Sequence, residues 1–189
     1  MQILHSMTEF DETGCVVALG TFDGVHLGHA KLIRKTVELA RAMELPAAAL
    51  TFDRHPLALI NPSAVPPALT PIPQKERLMA ALGLDILVVQ PFTADFAALE
   101  PEAFLKWLCG ALNPRAIVVG YNYTFGRRGR GDAALLQNLG AELGYKPVVV
   151  EALCVGGAPV SSTRIRALLN EGKRTEAEDL AGHPLAEML

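Results

Sequence analysis

The sequence predicts an α/β fold with a Rossmann-like, doubly wound parallel sheet of five strands in the order 3-2-1-4-5. Segments with helical patterning separate the predicted strands, and this alternation is typical of a parallel sheet that is covered by helices on both faces. The 189 residues suffice for one such domain, which we expect to span 1–189. The strands are predicted from short apolar runs at 15–19, 47–52, 85–90, 116–120 and 147–150.

The composition excludes several classes of protein. The net charge is −3, so the chain lacks the basic footprint of a nucleic-acid-binding protein. No apolar run approaches the roughly 18 residues of a membrane helix, and the N-terminus lacks the pattern of a signal peptide. The widely spaced Cys15, Cys109 and Cys154 predict reduced thiols rather than a disulfide framework or a metal site. We therefore expect a cytoplasmic protein with no nucleic-acid or membrane partner and no protein-held metal.

The first predicted strand leads into residues 20–29, which read GTFDGVHLGH and open a helix. Residues 1–14, before this strand, carry few structural signals. A position along the edge of the sheet is one interpretation of this segment. Such a strand-to-helix turn binds phosphate in open α/β sheets, because free N–H groups and the positive helix end point there. Gly28 lets a phosphate approach, and His26 and His29 can both face it. A metal pair is disfavoured because no cysteine or carboxylate ligand set accompanies the histidines.

Two features follow the second predicted strand. The turn 51–56 (TFDRHP) places Asp53 and His55 at the carboxyl end of the strand, where sheets of this kind hold ligands. A simple Asp/Pro turn without a ligand is an equally good interpretation. Residues 61–73 contain five prolines, and we expect an irregular flap there without regular structure.

Helices are predicted from apolar spacing later in the chain. One of them has Asp132 as its expected N-cap and Gly144 as its expected C-cap. The predicted ranges are 74–83, 101–112, 132–143 and 175–180.

The loop 121–132 follows the fourth predicted strand and combines three arginines, three glycines and three aromatic residues. Arginine forks suit phosphate, aromatic rings suit a planar ligand, and glycines allow the loop to close over both. A solvated basic loop is the alternative. We favour a binding loop, because the aromatic and arginine residues interleave at the carboxyl end of a strand.

The stretch SSTRIR at 161–166 follows the fifth predicted strand and opens a helix. Hydroxyl groups at a helix start can simply cap it. They can also form an anion cradle when an arginine stands one turn further on, and Ser162 and Arg166 share a helix face at that spacing.

These stretches together resemble one family. The string FDGVHLGH at 22–29 is similar to the FMN adenylyltransferase module of bacterial bifunctional riboflavin kinase/FAD synthetases, within the nucleotidyltransferase superfamily. The strings at 51–56 and 161–166 and the loop after Gly120 are similar to the same family. The loop departs from the pattern at Tyr121 and Asn122, where the family usually has acids, and at Tyr123, where it has phenylalanine.

The resemblance implies a nucleotidyltransferase (HUP-type) fold and the reaction ATP + FMN → FAD + pyrophosphate, with magnesium accompanying ATP. It implies catalytic roles for His26, His29 and Arg166. It implies ATP binding by residues of two turns, namely Gly20, Phe22, Asp23, Gly24, Gly28, Ser161, Ser162 and Thr163. It implies flavin binding by residues of three loops, namely Asp53, His55, Asn61, Tyr121, Asn122, Tyr123, Phe125 and Arg127.

The resemblance covers only the first half of a typical bifunctional enzyme. We therefore expect no riboflavin kinase domain in this chain, and a separate kinase would supply FMN. Two other functions stay open at this point. One is a sister transferase with another phosphate acceptor, such as a cytidylyltransferase, and the other is a non-catalytic module that binds a nucleotide or a flavin.

Overall fold

The computed structural model describes residues 1–185, so residues 186–189 of the predicted domain lie outside the described residues. Six strands form one sheet in the order β1-β4-β3-β2-β5-β6, and all pairings are parallel. The five predicted strands take their predicted order, but the predicted number was wrong because β1 adds a sixth. The strands are β1 (Gln2–Leu4), β2 (Cys15–Leu19), β3 (Ala47–Phe52), β4 (Ile86–Gln90), β5 (Pro114–Gly120) and β6 (Lys146–Val150).

The additional strand lies at the sheet edge, beside β4. Its three residues are too few to show the periodicity that predicts a strand from sequence. Tertiary contacts hold it instead. The fully buried Met7 follows in a short 3₁₀ turn, and its backbone N–H donates to the side chain of Gln90 at 2.9 Å.

Eight α-helices and a small hairpin complete the described part of the chain. The bounds predicted for α5 are confirmed, as are the Asp132 and Gly144 caps of α6. The hairpin consists of β7 (Cys154–Val155) and β8 (Ala158–Pro159). The helices are α1 (Leu27–Ala42), α2 (Leu57–Ile60), α3 (Ile72–Ala81), α4 (Ala94–Ala97), α5 (Pro101–Leu112), α6 (Ala133–Leu143), α7 (Ser162–Asn170) and α8 (Arg174–Ala181).

The proline-rich segment 61–73 is more regular than predicted. It contains a 3₁₀ turn at Pro62–Ala64 and the first residues of α3. The expectation of no regular structure was wrong, because Pro71 caps α3 and Pro73 lies in its first turn, where a missing N–H costs nothing.

Apolar side chains cover both faces of the sheet. Val17 and Leu19 point to the face that is packed by α5 and α6, whereas Val16 and Ala18 point to the face packed by α1 and α3. A third apolar cluster joins α7 and α8 to Leu69 of the proline-rich segment. Among residues 1–185, no helix combines the length and the apolar character that crossing a membrane requires.

We expect Gln90→Met to lower the free energy of unfolding by about 1–3 kcal/mol, because it leaves the buried Met7 N–H without an acceptor. Urea unfolding measures the change. The matched control is Gln137→Met, at an exposed position of α6. Equal stability of the two variants would contradict the docking of the N-terminal segment on β4.

Candidate active site

The turn between β2 and α1 has an unusual backbone. Phe22 and Val25 have φ angles of 48° and 34°, in the left-handed region that residues with side chains rarely adopt. A Cβ atom at Gly20 would lie 3.0 Å from the Phe22 ring, so a side chain there would require the ring to shift. Strain of this kind persists only where the surroundings enforce it, and it is typical of binding sites.

His26 and His29 stack on each other at the start of α1. Their ring centroids lie 3.6 Å apart, with the planes 15° from parallel. His26 caps the helix, because its Nδ1 accepts from the backbone N–H of His29 at 3.3 Å. The neutral His26 ring therefore carries its proton on Nε2, which is available as a donor. Within the described residues, the buried Nδ1 of His29 has no hydrogen-bond partner.

Burial keeps both imidazoles neutral at neutral pH. It lowers the pKa of His26 to about 4, although nearby Asp23 opposes the shift. Burial also lowers the pKa of His29 well below its usual value, and the neighbouring His26 and Lys75 push it in the same direction. In this structure the pair can donate hydrogen bonds to an anion without carrying charge.

The buried carboxylate of Asp23 ties the turn to two distant segments. Its Oδ1 accepts from the backbone N–H groups of Leu69 and Thr70 at 3.0 and 3.2 Å. Its Oδ2 accepts from Arg166 of α7, whose Nε also donates to the carbonyl of Pro67 at 3.1 Å. The proline-rich segment and α7 are thereby held against the turn.

The start of α7 contacts the same turn directly. Ser161 caps the helix by accepting from the backbone N–H of Arg164 at 3.2 Å. The Ser162 hydroxyl donates to the backbone carbonyl of Asp23 at 2.8 Å. The two sequence strings that stand far apart in the chain therefore meet at one place.

A cavity of about 540 Å³ opens where the two turns meet. The side that suits phosphate includes His26, Gly28 and His29 from one turn and Ser161, Ser162 and Thr163 from the other. Another part of the lining is an aromatic wall that suits a planar ring. This wall consists of Phe52, Phe92, Phe96, Phe104, Tyr123 and Phe125.

A second cavity, of about 610 Å³, lies between the turn 53–56 and the proline-rich segment. Asp53, His55 and Lys75 line it. Thr21 and Phe52 line both cavities and so form the wall between them.

Comparison with known proteins shows which family this chain resembles. The model of the FAD synthetase family matches residues 8–164. The chain belongs to the FAD synthetase family. A bifunctional riboflavin kinase/FMN adenylyltransferase of Escherichia coli K12 is 35% identical over 184 residues, which cover 97% of this chain and 59% of that relative. A FAD synthetase of Listeria monocytogenes is 34% identical over 175 residues, or 92% of this chain and 71% of that protein. The chain thus spans well under two thirds of the E. coli relative.

A solved structure has a similar fold. A protein from Streptococcus pneumoniae described as a macrolide-efflux protein superposes with a TM-score of 0.83 and 28% identity. The match covers 97% of this chain and 60% of that one.

Four residues predicted from the FAD synthetase resemblance lie outside both cavities, namely Gly24, Asn61, Arg127 and Arg166. Arg166 pairs with Asp23 instead of facing open space. Asn61 is exposed, and its side chain accepts from Ser63 at 2.9 Å. Arg127 pairs with Glu100 at 3.2 Å, whereas its neighbour Arg128 lines the first cavity.

The predicted flavin residues divide between the two cavities. Asp53 and His55 line the second cavity, whereas Tyr121, Asn122, Tyr123 and Phe125 line the first. Of the predicted ATP residues, Gly20 and Phe22 line the first cavity, and Asp23 lines the second. Gly24 acts inside the turn, where its φ of 87° suits glycine and its N–H donates to Thr70 at 2.9 Å.

Sequence reasoning missed Lys75, which is 5% exposed. A signal was present, since Lys75 shares a helix face with the apolar Ile72 and Met79. Thr21 was also missed, because its contribution is a backbone carbonyl that residue type does not reveal.

The described side chains do not fit a metal held by the protein. Within residues 1–185, no group of three or more His, Cys, Asp or Glu side chains is placed to hold one. Both carboxylate oxygens of Asp23 are already engaged by protein donors.

We expect folding stability to fall as the pH is lowered from about 6.5 towards 4, because His26 titrates at about 4 when folded and at 6.5 when unfolded. The contribution of His26 to the free energy of unfolding is fully present above pH 6.5. It falls by at most about 3 kcal/mol as the pH is lowered through 4. His26→Asn keeps a helix-capping side chain and should lose less stability over this range. Urea unfolding at several pH values measures the difference, with exposed His5→Asn as the control. An unchanged pH slope in His26→Asn would contradict the burial of a neutral imidazole.

Proposed function

We propose that this chain transfers the adenylyl group of ATP to FMN, producing FAD and pyrophosphate. The observation that carries the proposal is the hydrogen bond of 2.8 Å from the Ser162 hydroxyl to the Asp23 carbonyl, beside a shared cavity. It brings two turns that each have the features of an anion site to one cavity of about 540 Å³. Membership of the FAD synthetase family supports the same reaction.

The reaction requires positioning more than activation. An oxygen of the FMN phosphate attacks the α-phosphorus of ATP in line and forms a new P–O bond, while the bond to the bridging oxygen of the β-phosphate breaks. The attacking phosphate is already ionised, so the step needs neither a covalent intermediate nor a strong base. Catalysis then comes from alignment and from hydrogen bonds to the developing charge.

The two histidines supply such hydrogen bonds. Nε2–H of His26 is free to donate, and the unpartnered ring nitrogen of His29 is available to a ligand. A bound polyanion favours the charged imidazole and therefore raises the pKa of both rings. Ser162 and Thr163 would hold the departing phosphates at the start of α7. Arg166 would fix Asp23 and thereby the turn, and a direct contact of Arg166 with the phosphates stays a prediction.

The flavin is proposed to lie at the junction of the two cavities. There its ring could reach Phe52, which packs edge-on against Phe92 at 4.9 Å and Phe96 at 5.4 Å. Its phosphate would pass Thr21 towards the histidines. Magnesium would arrive bound to the ATP phosphates, as part of the substrate.

The setting of the reaction is proposed on the same basis. The three cysteines are free, which fits a reducing cytoplasm. The FAD synthetase family model matches residues 8–164, and we propose that FMN comes from a riboflavin kinase activity outside the described residues.

The direct test is turnover of ATP and FMN with magnesium by the purified chain, followed by chromatography of flavins and an assay of pyrophosphate. We expect FAD and pyrophosphate in equal amounts, and no reaction of FMN with CTP. Tight binding without pyrophosphate release would mark a binding module, and a product from CTP would mark a sister transferase.

We expect His29→Ala to keep the fold and to lower kcat/KM for FAD formation by roughly 100-fold or more, since it removes a donor to the developing charge. His5→Ala, at an exposed position that lines neither cavity, serves as the control and should keep full activity. Full activity of a folded His29→Ala protein would exclude the role given to this ring.

A further inference from the structure

Lys75 is a buried cation that the mechanism above leaves unused. Its ammonium donates to the backbone carbonyl of Thr21 at 2.7 Å and to the Thr51 hydroxyl at 3.2 Å. Among residues 1–185, no carboxylate forms an ion pair with it. Buried lysines almost always have an anionic partner, because an unpaired ammonium is costly to remove from water.

The fold itself does not require this ammonium. The Thr21 carbonyl already accepts from the Thr51 hydroxyl at 2.9 Å, so it would stay paired without Lys75. Burial lowers the pKa of Lys75 to about 8, against the opposing effect of Asp23. The group is thus charged at neutral pH at a cost to stability, which indicates that its charge serves a ligand.

Lys75 lies beside the wall between the two cavities. Its side chain lines the second cavity, and its ammonium contacts Thr21, which lines both cavities. An ammonium has three donors, and two of them are engaged. An acceptor phosphate that extends from the second cavity towards the histidines would pass Thr21, beside this ammonium and its third donor.

We propose that the ammonium of Lys75 binds the phosphate of the acceptor nucleotide, FMN, at the junction of the two cavities. The proposal rests on the function proposed above, since it assumes FMN as the acceptor. Lys75 would attract the phosphate to the wall at Thr21 and hold its attacking oxygen towards the first cavity.

The test compares FMN with riboflavin, which lacks the phosphate, by titration of flavin fluorescence. We expect Lys75→Met to weaken FMN binding roughly 10- to 100-fold, the value of a charge-assisted hydrogen bond, and to leave riboflavin binding unchanged. The melting temperature of Lys75→Met should equal or exceed that of the wild-type protein, because a buried charge is removed. The control is Lys106→Met, which removes a positive charge at an exposed position of α5.

Three outcomes would overturn the proposal. Unchanged FMN binding by Lys75→Met would show that Lys75 does not contact the phosphate. Equal weakening of FMN and riboflavin binding would show that Lys75 has only a structural role. If the unchanged protein binds neither flavin, the proposed function fails and this inference fails with it.

A second measurement needs no variant. We expect FMN affinity to fall as the pH rises from about 7 to about 9, because Lys75 loses its proton at about 8 while the phosphate stays doubly ionised. Asp23, His29 and His55 also face Lys75. Burial lowers the pKa of both histidines, so neither changes charge in this range, and Asp23 stays paired with Arg166. An FMN affinity that is flat with pH, or that falls in parallel with riboflavin affinity, would overturn the proposal.

Discussion

The buried carboxylate of Asp23 is the interaction on which the arrangement of this site depends. It holds the proline-rich segment through two backbone N–H groups and holds α7 through Arg166. Removing one partner of a buried ion pair costs about 3–5 kcal/mol, because the other charge is left uncompensated. The turn with its two left-handed residues, the proline-rich segment and the start of α7 are therefore held together as one unit.

The electrostatics of the site follow from that assembly. Packing three segments around the turn buries His26, His29 and Lys75, and burial lowers the pKa of each group. The folded chain thus bears a cost for polar groups that lack full partners. Binding of a polyanion would offset this free-energy cost, since it would pair with the ammonium and with the ring nitrogens that have no partner among the described residues. The same groups that weaken the free protein would strengthen the complex, which is a common relation between stability and activity.

Much of this could be predicted from the sequence, because local patterns carry it. Five strands and the helix caps at Asp132 and Gly144 follow from apolar patterning and turn chemistry, and the strand order follows from the doubly wound topology of such sheets. The sixth strand could not be predicted, since its three residues are held by pairing with β4, far along the chain. The sequence also could not predict which of two adjacent arginines faces the cavity. Arg128 lines it, whereas Arg127 pairs with Glu100. Sequence strings indicate which segments bear function, whereas tertiary contacts decide which side chains are free to act.

The most direct test of the central claim is a crystal structure with FMN and an ATP analogue that has a methylene bridge between its α- and β-phosphates. The claim is that the histidine turn and the start of α7 bind one triphosphate. We expect its phosphates within hydrogen-bond distance of both the His29 ring and the Ser162 hydroxyl, with the FMN phosphate beside the α-phosphorus. Phosphates bound by only one of these two turns, or held elsewhere on the protein, would contradict the account.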